Sequence, residues 1–132
     1  MSVDLRVVLP NRPGALLDAL DAIAQAGVGI DGVSGDLRPG ENWGYVHVLV
    51  AEGDEARAAL EARGFEVSGM HDVEVFTLDR HPGALADAVR TYRDRGESIE
   101  VFYMTSKGEV VVGSEAMRKP IAGVRVEDAK YR

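Results

Sequence analysis

Hydrophobic and polar residues alternate at the start of the chain and again near its middle. Every second residue from Val3 to Leu9 is aliphatic, and Val73, Val75 and Thr77 continue the same alternation later. Side chains at i and i+2 lie on one face of an extended chain, so both segments are predicted to be β-strands with one buried face.

The pattern changes to a helical one after each of these strands. The apolar side chains now recur at i, i+4 and i+7, which places them on one face of a helix. These predicted core positions are Leu16, Leu20 and Ile23 in the first helix and Leu85, Val89 and Tyr92 in the second. Gly27 and Gly96 follow at the position where a left-handed residue commonly ends a helix.

Each helix is followed by two more predicted strands joined by a turn. Their bounds are 29–37 and 43–51 in the first half, with a turn at 38–42, and 98–105 and 109–115 in the second half, with a turn at 106–108. The first half continues with a helix over 54–63, between Asp54 as N-cap and Gly64 as stop, and a closing strand over 65–68. In the second half Pro120 leaves room for only about two helical turns before a final strand over 124–127.

The two halves are related by an internal repeat. Residues 9–33 align with residues 78–102 at a constant offset of 69, without gaps and with nine identical residues. The repeat predicts two units, one over 1–69 and the other over 70–132, joined through a shared or continuous strand over 65–78. The order βαββαβ indicates an α+β protein of two ferredoxin-like units, with antiparallel sheets, helices on one face and a shortened second helix in the second unit.

A short motif stands between the first strand and the first helix of each unit. It reads Asn11-Arg12-Pro13-Gly14-Ala15-Leu16 in the first unit, and the second unit keeps Pro82-Gly83-Ala84-Leu85. This motif, set twice within a βαββαβ pattern, resembles the ACT domain. The resemblance implies a tandem ACT protein without an attached catalytic domain, which binds an amino acid where two units meet side by side. The ligand residues that it implies are Asn11, Arg12, Pro13, Gly14, Ala15 and Leu16 in the first unit and Arg80, His81, Pro82, Gly83, Ala84 and Leu85 in the second.

The turn also has a physical logic that does not depend on the resemblance. A helix N-terminus leaves backbone N–H groups unpaired and carries roughly half a positive charge, which attracts a carboxylate. Gly14 and Gly83 have no Cβ and allow a ligand to approach the backbone closely. The Asn11 amide offers a donor and an acceptor, so it either caps the helix or holds the ammonium and carboxylate of an amino acid. A Pro-Gly turn that serves the fold alone is the alternative.

The predicted strand over 43–51 carries large side chains on the face away from the helices. This face presents Trp43, Tyr45, His47 and Leu49. Phe102 and Met104 are expected to point the same way in the second unit. Large apolar groups on an open face predict a sheet-to-sheet contact, a dimer contact or a site for a protein partner.

No set of residues predicts catalysis, a metal site or a cofactor. The chain has no Cys and no Ser in a nucleophile motif. Its three histidines, His47, His71 and His81, form no pair with metal-ligand spacing, and His71 is expected in a surface linker. We therefore predict a protein that is not an enzyme and that has no metal and no cofactor.

Composition and charge limit the partners further. The 132 residues include 15 Lys and Arg and 22 Asp and Glu, for a net charge of −7, and no basic run is present to bind nucleic acid or an anionic membrane. No apolar run reaches the ~18 residues of a membrane span, and no leader peptide is evident, which predicts a cytoplasmic location. The combined prediction is an amino-acid-binding regulatory protein that forms a homodimer. The alternative is an assembly module that dimerises and binds a protein partner without a ligand.

Overall fold

The computed structural model describes residues 1–121, and the final strand predicted over 124–127 lies outside the described residues. The strands are β1 (Val3–Pro10), β2 (Ile30–Asp36), β3 (Trp43–Val50), β4 (Glu66–Asp72), β5 (Glu74–Thr77), β6 (Ile99–Met104) and β7 (Glu109–Ser114). The helices are α1 (Ala15–Gln25), α2 (Gly53–Ala62) and α3 (Ala84–Asp94), and a single 3-10 turn, Glu115–Met117, follows β7. The α+β class is confirmed, and so is the predicted element order up to residue 121.

The first unit is a four-stranded antiparallel sheet covered by α1 and α2. Its strand order is β2-β3-β1-β4. The alternating residues of β1 are buried in one core with residues of both helices, as predicted. Leu5, Leu9 and Ile23 of this core are fully buried. Burial of an aliphatic side chain of this size stabilises by ~1.5–3 kcal/mol, so this layer contributes strongly to folding.

Leu16 is not a core residue, contrary to the prediction from helical spacing. Its side chain is 41% exposed. Helix α1 instead turns a neighbouring row of mostly small residues toward the sheet, namely Ala15, Ala19, Ala22 and Ile23. Alanine and leucine both count as apolar, so two adjacent stripes of the same spacing compete, and the smaller side chains let the helix approach the sheet closely. Helix α3 does the same, with Ala84 buried and Leu85 exposed.

In the residues that the structure describes, the second unit has a smaller sheet and one covering helix, α3. Its three antiparallel strands lie in the order β5-β7-β6. Val110 and Val112 of β7 pack against Tyr92 of α3 on one face. Up to residue 121, one 3-10 turn, Glu115–Met117, is the helical element that follows β7, in agreement with the predicted shortening of the second helix.

The residues after this turn leave the second unit and join the first. Arg118 forms an isolated antiparallel bridge with His71 of β4, so the prediction of a surface linker at His71 is wrong. Ile121 is buried in the core of the first unit. Glu100 of β6 accepts a hydrogen bond from Arg118 and also pairs with His71, and these contacts lower the pKa of the Glu100 carboxyl, Arg118 most strongly.

The two sheets pack face to face through the sides that carry no helices. The chain passes from one sheet to the other through Val73 alone, which separates β4 from β5. Leu49 of β3 lies in a buried cluster with Val101, Tyr103 and Val111 of the second unit. The sheet-to-sheet contact predicted at Leu49 is therefore present, but the two units of one chain do not join edge to edge into one sheet.

Phe102 and Met104 point to the helix side of the second sheet, so the expectation that they face away from the helices is wrong. Each is paired with a β7 valine that packs against α3. A register shift between Ile99 and Val101 moves the alternation by one residue. Such a shift exchanges the two faces of a strand. Val101 therefore faces the first sheet, and Phe102 and Met104 face the side of α3.

The repeat that is visible in the sequence is also present in the backbone geometry. The register shift that follows Ile30 in β2 recurs after Ile99 in β6, at the same offset of 69. Helices α1 and α3 end in the same hydrogen-bond pattern, at Gly27 and at Gly96. The two units are therefore structural copies from the first strand to the hairpin.

Candidate functional site

The first candidate site is the turn between β1 and α1. Gly14 precedes the helix with φ +85° and ψ −11°, in the left-handed region, and no side chain of the described residues caps α1. The Ala15 N–H donates to the Arg12 carbonyl oxygen at 3.2 Å and closes the turn. A Cβ added to Gly14 would meet no atom within 4 Å, so the approach to the helix N-terminus is open.

Asn11 fastens the β2–β3 turn to this site and does not cap the helix. Its amide Nδ2 donates to the carbonyl oxygen of Glu41 at 2.9 Å and to that of Arg38 at 3.4 Å. Its backbone N–H donates to the Asn42 carbonyl oxygen at 2.8 Å. Of the two roles that the sequence leaves open, the helix cap is therefore excluded, and the first-turn N–H groups of α1 keep no side-chain acceptor among the described residues.

Arg12 and Leu16 flank the open helix N-terminus. The Arg12 Nη2 lies 3.5 Å from Oδ2 of Asp18, and both side chains are about half exposed. An exposed pair of this kind contributes ~0–1 kcal/mol, so the guanidinium can turn toward another carboxylate at little cost. Pro13 is exposed, Ala15 is buried, and Leu16 adds apolar surface on the open side of the first turn.

The turn between β5 and α3 has the same backbone geometry in the second unit. Gly83 has φ +87°, and no described side chain caps α3. The Ala84 N–H donates to the His81 carbonyl oxygen at 3.2 Å. The His81 ring uses Nδ1 to donate to the Pro82 carbonyl oxygen at 2.9 Å, and Leu85 is exposed as Leu16 is in the first unit.

Arg80 takes the place of Asn11 in the second unit. Its Nη2 lies 2.8 Å from the position that a Cβ on Gly108 would occupy, in the β6–β7 turn. Each of the two side chains therefore lies against the hairpin turn of its own unit. Each turn contains one arginine. It is Arg12 in the first unit and Arg80, at the position equivalent to 11, in the second.

The structure does not bring the two turns together within one chain. The first turn follows Pro10, at the end of β1 beside Trp43. Strand β4 runs antiparallel to β1 toward Val3, and β5 continues from it to the second turn. The contact between the sheets, at Asp4, is separated from Pro10 by ~20 Å along β1. The first turn is therefore away from the contact between the two units, whereas Arg80 of the second turn lies against the β6–β7 turn, where Thr105 approaches Gly32 of the first unit.

Comparison with known protein families identifies this fold. The family model described as an ACT domain pair matches residues 1–119. The chain belongs to the ACT domain family. The resemblance carried by the repeated Pro-Gly turn is thereby confirmed, and the match covers both ACT units.

Solved structures share the fold of this ACT pair. Protein BT0572 from Bacteroides thetaiotaomicron is similar with a TM-score of 0.71 and 23% identity, over 86% of this chain and 78% of that chain. The ligand-free regulatory subunit of aspartate kinase from Thermus thermophilus gives 0.63 and 22%, over 86% and 82%. The subunit from Thermus flavus gives 0.64 and 20%, over 87% and 83%. None of the curated proteins matches the chain.

Sequence reasoning missed a buried polar contact between the two ACT units. Asp4 of β1 is fully buried, and its carboxylate accepts a hydrogen bond from the Tyr103 hydroxyl at 2.7 Å and lies 2.8 Å from Nδ1 of His47. Burial, together with the Asp4 charge, raises the pKa of Tyr103, so the phenol remains a donor. Asp4 stands at a polar position of the β1 alternation, so periodicity alone gives no signal of its burial.

The described residues offer no metal centre. Within residues 1–121, no group of three or more His, Cys, Asp or Glu side chains is placed to hold a metal ion. Within the same range, no helix has the length and apolar character that a bilayer crossing requires. The cytoplasmic location stays a prediction.

Proposed function

We propose that this ACT pair is a non-catalytic regulatory protein that binds an amino acid at the turn over residues 11–16 and a second one at the turn over 80–85. The observation that supports it most is the pair of exposed turns, each of which leaves a helix N-terminus without a side-chain cap. Such a terminus attracts a carboxylate. The likeness to regulatory subunits of aspartate kinase supports a regulatory role.

In this proposal the turn recognises the backbone groups of the amino acid. The carboxylate accepts hydrogen bonds from the first-turn N–H groups of α1, with Arg12 able to turn toward it. Asn11 uses its Nδ2 donors on the β2–β3 turn, and its Oδ1 accepts from no described residue, so it can accept from the ligand ammonium group. Leu16 supplies apolar surface for a small or hydrophobic side chain.

The proposal includes a homodimer, because one chain does not enclose either turn. Residues 11–14 are all exposed, and the contact between the two units lies near the other end of β1. A second copy placed beside the sheet would supply the missing wall. Ligand that binds across such a contact stabilises the dimer by mass action. A partner protein that binds the dimer and the monomer with different affinity then responds to the ligand.

An assembly module without a ligand is the second candidate function. It is favoured by Trp43, which is 44% exposed at the start of β3 and packs edge-on against Tyr45. In that case Trp43→Ala weakens association with a partner protein, and no amino acid raises the unfolding temperature. The two functions therefore make opposite predictions for a ligand screen.

The first experiment is thermal unfolding with each of the 20 amino acids at millimolar concentration. A ligand at 100 times its Kd stabilises by about 2.7 kcal/mol, which corresponds to an increase on the order of several degrees for a chain of this size. A shift with one amino acid or a related group supports the proposal. A flat panel for a well-folded protein contradicts it and favours the assembly module.

Matched glycine variants then locate the site. Gly14→Asp and Gly83→Asp each place a carboxylate at a helix N-terminus, where it would repel the ligand carboxylate. Gly64→Asp is the control, because Gly64 has the same left-handed conformation, with φ +83°, and open space around a Cβ. We expect each site variant to reduce the thermal shift, because each removes one of the two sites, the double variant to abolish it, and the control to keep it. Unchanged binding in both site variants would place the ligand elsewhere.

A further inference from the structure

The β6–β7 turn lies between the second candidate site and the contact of the two units, and Thr105 determines its shape. Thr105 is a polar residue with 7% of its surface exposed. Its hydroxyl oxygen accepts hydrogen bonds from the N–H groups of Lys107 and Glu109, both at 3.3 Å. Its carbonyl oxygen accepts a third from the N–H of Gly108 at 3.0 Å. One buried residue therefore fixes the conformation of this turn.

The methyl group of Thr105 belongs to the contact between the two units. Its Cγ2 lies 3.2 Å from the position that a Cβ on Gly32 of β2 would occupy, and Cε2 of Tyr103 lies 3.5 Å from the same position. A side chain at position 32 would press on Thr105, so the methyl group packs directly against the β2 backbone. The Tyr103 hydroxyl donates to the buried Asp4 carboxylate at 2.7 Å. Closely packed groups transmit a displacement, so a movement of the β6–β7 turn reaches the first sheet.

Arg80 connects the second candidate site to the other side of this turn. Its Nη2 lies 2.8 Å from the position of a Cβ on Gly108, so the guanidinium packs on the turn backbone. The Arg80 side chain is exposed, and exposed side chains change rotamer within nanoseconds. Two positions are therefore accessible to it, one against the turn, as in the structure, and one toward a carboxylate bound at the N-terminus of α3. The second position removes the guanidinium from Gly108.

The first unit has no equivalent connection among residues 1–121. The residue equivalent to Thr105 is Asp36, the last residue of β2, and it is exposed. The turn that follows is bound by Asn11 of the same unit. The contact between the units, at Asp4, is separated from the first candidate site by ~20 Å along β1. Binding at the first turn therefore has no such route to the contact between the units.

We propose that Thr105 couples the second candidate site to the packing of the two units, so that a carboxylate that draws Arg80 away from the β6–β7 turn loosens the contact at Gly32. This inference rests on the proposed function for the ligand and assigns different roles to the two turns. Binding at the second turn changes how the units pack, and binding at the first turn does not. The β6–β7 turn is the element with two arrangements, and the position of Arg80 selects between them.

Arg80→Ala imitates the withdrawn guanidinium and tests the coupling without a ligand. Amide hydrogen exchange of the full chain, measured by mass spectrometry, gives the result. We expect exchange to become roughly two- to tenfold faster over residues 105–109 and over residues 31–33, because Thr105 then packs less firmly on β2. Exchange over 38–42 should stay as in the wild type. Faster exchange over 105–109 with no change over 31–33 would overturn the proposal.

Arg90→Ala is the matched control for this measurement. Arg90 is another exposed arginine of the second unit, and it pairs with Asp87 of its own helix at 3.1 Å. It should leave exchange over 31–33 unchanged. Urea unfolding of both arginine variants corrects for any difference in overall stability, so that a general loss of stability is not mistaken for coupling. An equal increase over 31–33 in Arg90→Ala would contradict a specific connection through Arg80.

Two substitutions of Thr105 then separate its two contacts. Thr105→Ser keeps the hydroxyl that holds the turn and removes the methyl group that packs on Gly32. Thr105→Val keeps that methyl group and removes the hydroxyl. With Thr105→Ser, Arg80→Ala should still speed exchange over 105–109 but no longer over 31–33. With Thr105→Val the response over 31–33 should remain. Loss of that response in both backgrounds, or in neither, would mean that the methyl group does not carry the coupling.

The amino-acid panel distinguishes this inference from the proposed function itself. In Gly14→Asp the second turn is the remaining candidate site, so an amino acid that raises the unfolding temperature should also speed exchange over residues 31–33. In Gly83→Asp it should not. A temperature shift in Gly14→Asp without faster exchange over 31–33 keeps the site and overturns the coupling. A flat panel with all 20 amino acids overturns the proposed function, and the connection within the chain is then judged by Arg80→Ala alone.

Discussion

The two ACT units are copies in their first halves and differ in their second halves. Both have a left-handed glycine before the first helix, the same turn hydrogen bonds and the same register shift in the second strand. The first unit then adds α2 and β4, but the described part of the second unit adds a 3-10 turn, Glu115–Met117, in their place. Within the described residues, the parts that shape the candidate site are therefore the same in both units, while the parts that cover the rest of the sheet differ.

The second unit obtains part of its support from the first. Its sheet is covered on one side by α3 and on the other by the first sheet, through Tyr103 and Val101. In return, the chain after the 3-10 turn passes to the first unit, where Ile121 enters the core.

Leu9→Ala and Leu78→Ala form the first matched pair, because the two leucines are equivalent in the repeat. Leu9 is fully buried in the core of the first unit, whereas Leu78 is only partly buried. We expect Leu9→Ala to lower the free energy of unfolding by about 2–5 kcal/mol, and Leu78→Ala by less than half of that. Urea unfolding measures both. Equal losses of unfolding free energy would mean that the two equivalent positions are equally well packed in the two units.

Tyr103→Phe and Tyr92→Phe compare a contact between the units with a contact inside the second unit. The Tyr103 hydroxyl donates to the buried Asp4 carboxylate at 2.7 Å, and the Tyr92 hydroxyl donates to the more exposed Glu74 at 3.0 Å. Loss of a donor to a buried charge costs about 1–3 kcal/mol, and loss of an ordinary hydrogen bond about 0.5–1.5 kcal/mol. Chemical unfolding of the two variants checks this order. A larger loss for Tyr92→Phe would show that Asp4 finds another donor.

The fold could be predicted from the sequence to the extent that it depends on local periodicity and on the repeat. The strand alternation from Val3 to Leu9 and the Pro-Gly turns identified both units. Two assignments failed where the pattern was ambiguous or interrupted. Leu16 lies next to an alanine stripe of the same period, and the register shift in β6 turned Phe102 to the opposite face. Neither effect leaves a signal in periodicity alone.

The arrangement of the units and the surroundings of the site could not be predicted in the same way. Face-to-face packing depends on long-range contacts such as Asp4 with Tyr103, which are 99 residues apart. The role of Asn11 also depends on a distant segment, the turn over 38–42, to which its amide binds. The sequence showed which residues form the turn. It did not show what covers the open side of the turn, because that depends on how the chain associates with other molecules.

Asn11→Ala and Arg80→Ala compare the two candidate sites directly. Asn11 makes two amide contacts to the β2–β3 turn, while Arg80 lies exposed against the β6–β7 turn. We expect Asn11→Ala to cost about 1 kcal/mol of stability and to increase amide hydrogen exchange over residues 38–42. It should also weaken amino-acid binding at the first turn only. Arg80→Ala should leave exchange over 38–42 unchanged. Increased exchange in both variants would contradict separate sites.

The smallest expected effect concerns pH and again separates the units. Tyr92 occupies the position at which the first unit has Ile23, so only the second helix carries an ionisable group there. Burial, supported by the hydrogen bond to Glu74, raises the pKa of Tyr92 to about 12. An unfolded tyrosine titrates near 10, so between these values the folded state holds a proton that the unfolded state has lost. Stability should therefore fall as pH rises through this interval.

Tyr92→Phe should make that decline shallower without removing it, because the pKa of Tyr103 is raised as well. Urea unfolding at pH 9, 10 and 11 gives the slope for the wild type and for each phenylalanine variant. The double variant should show the flattest profile, since both raised tyrosines are then gone. A Tyr92→Phe slope equal to that of the wild type would mean that the phenol of α3 is solvated in the folded protein. In that case water would reach the core of the second unit beneath α3. The packing of the two units would then differ more than their shared turns suggest.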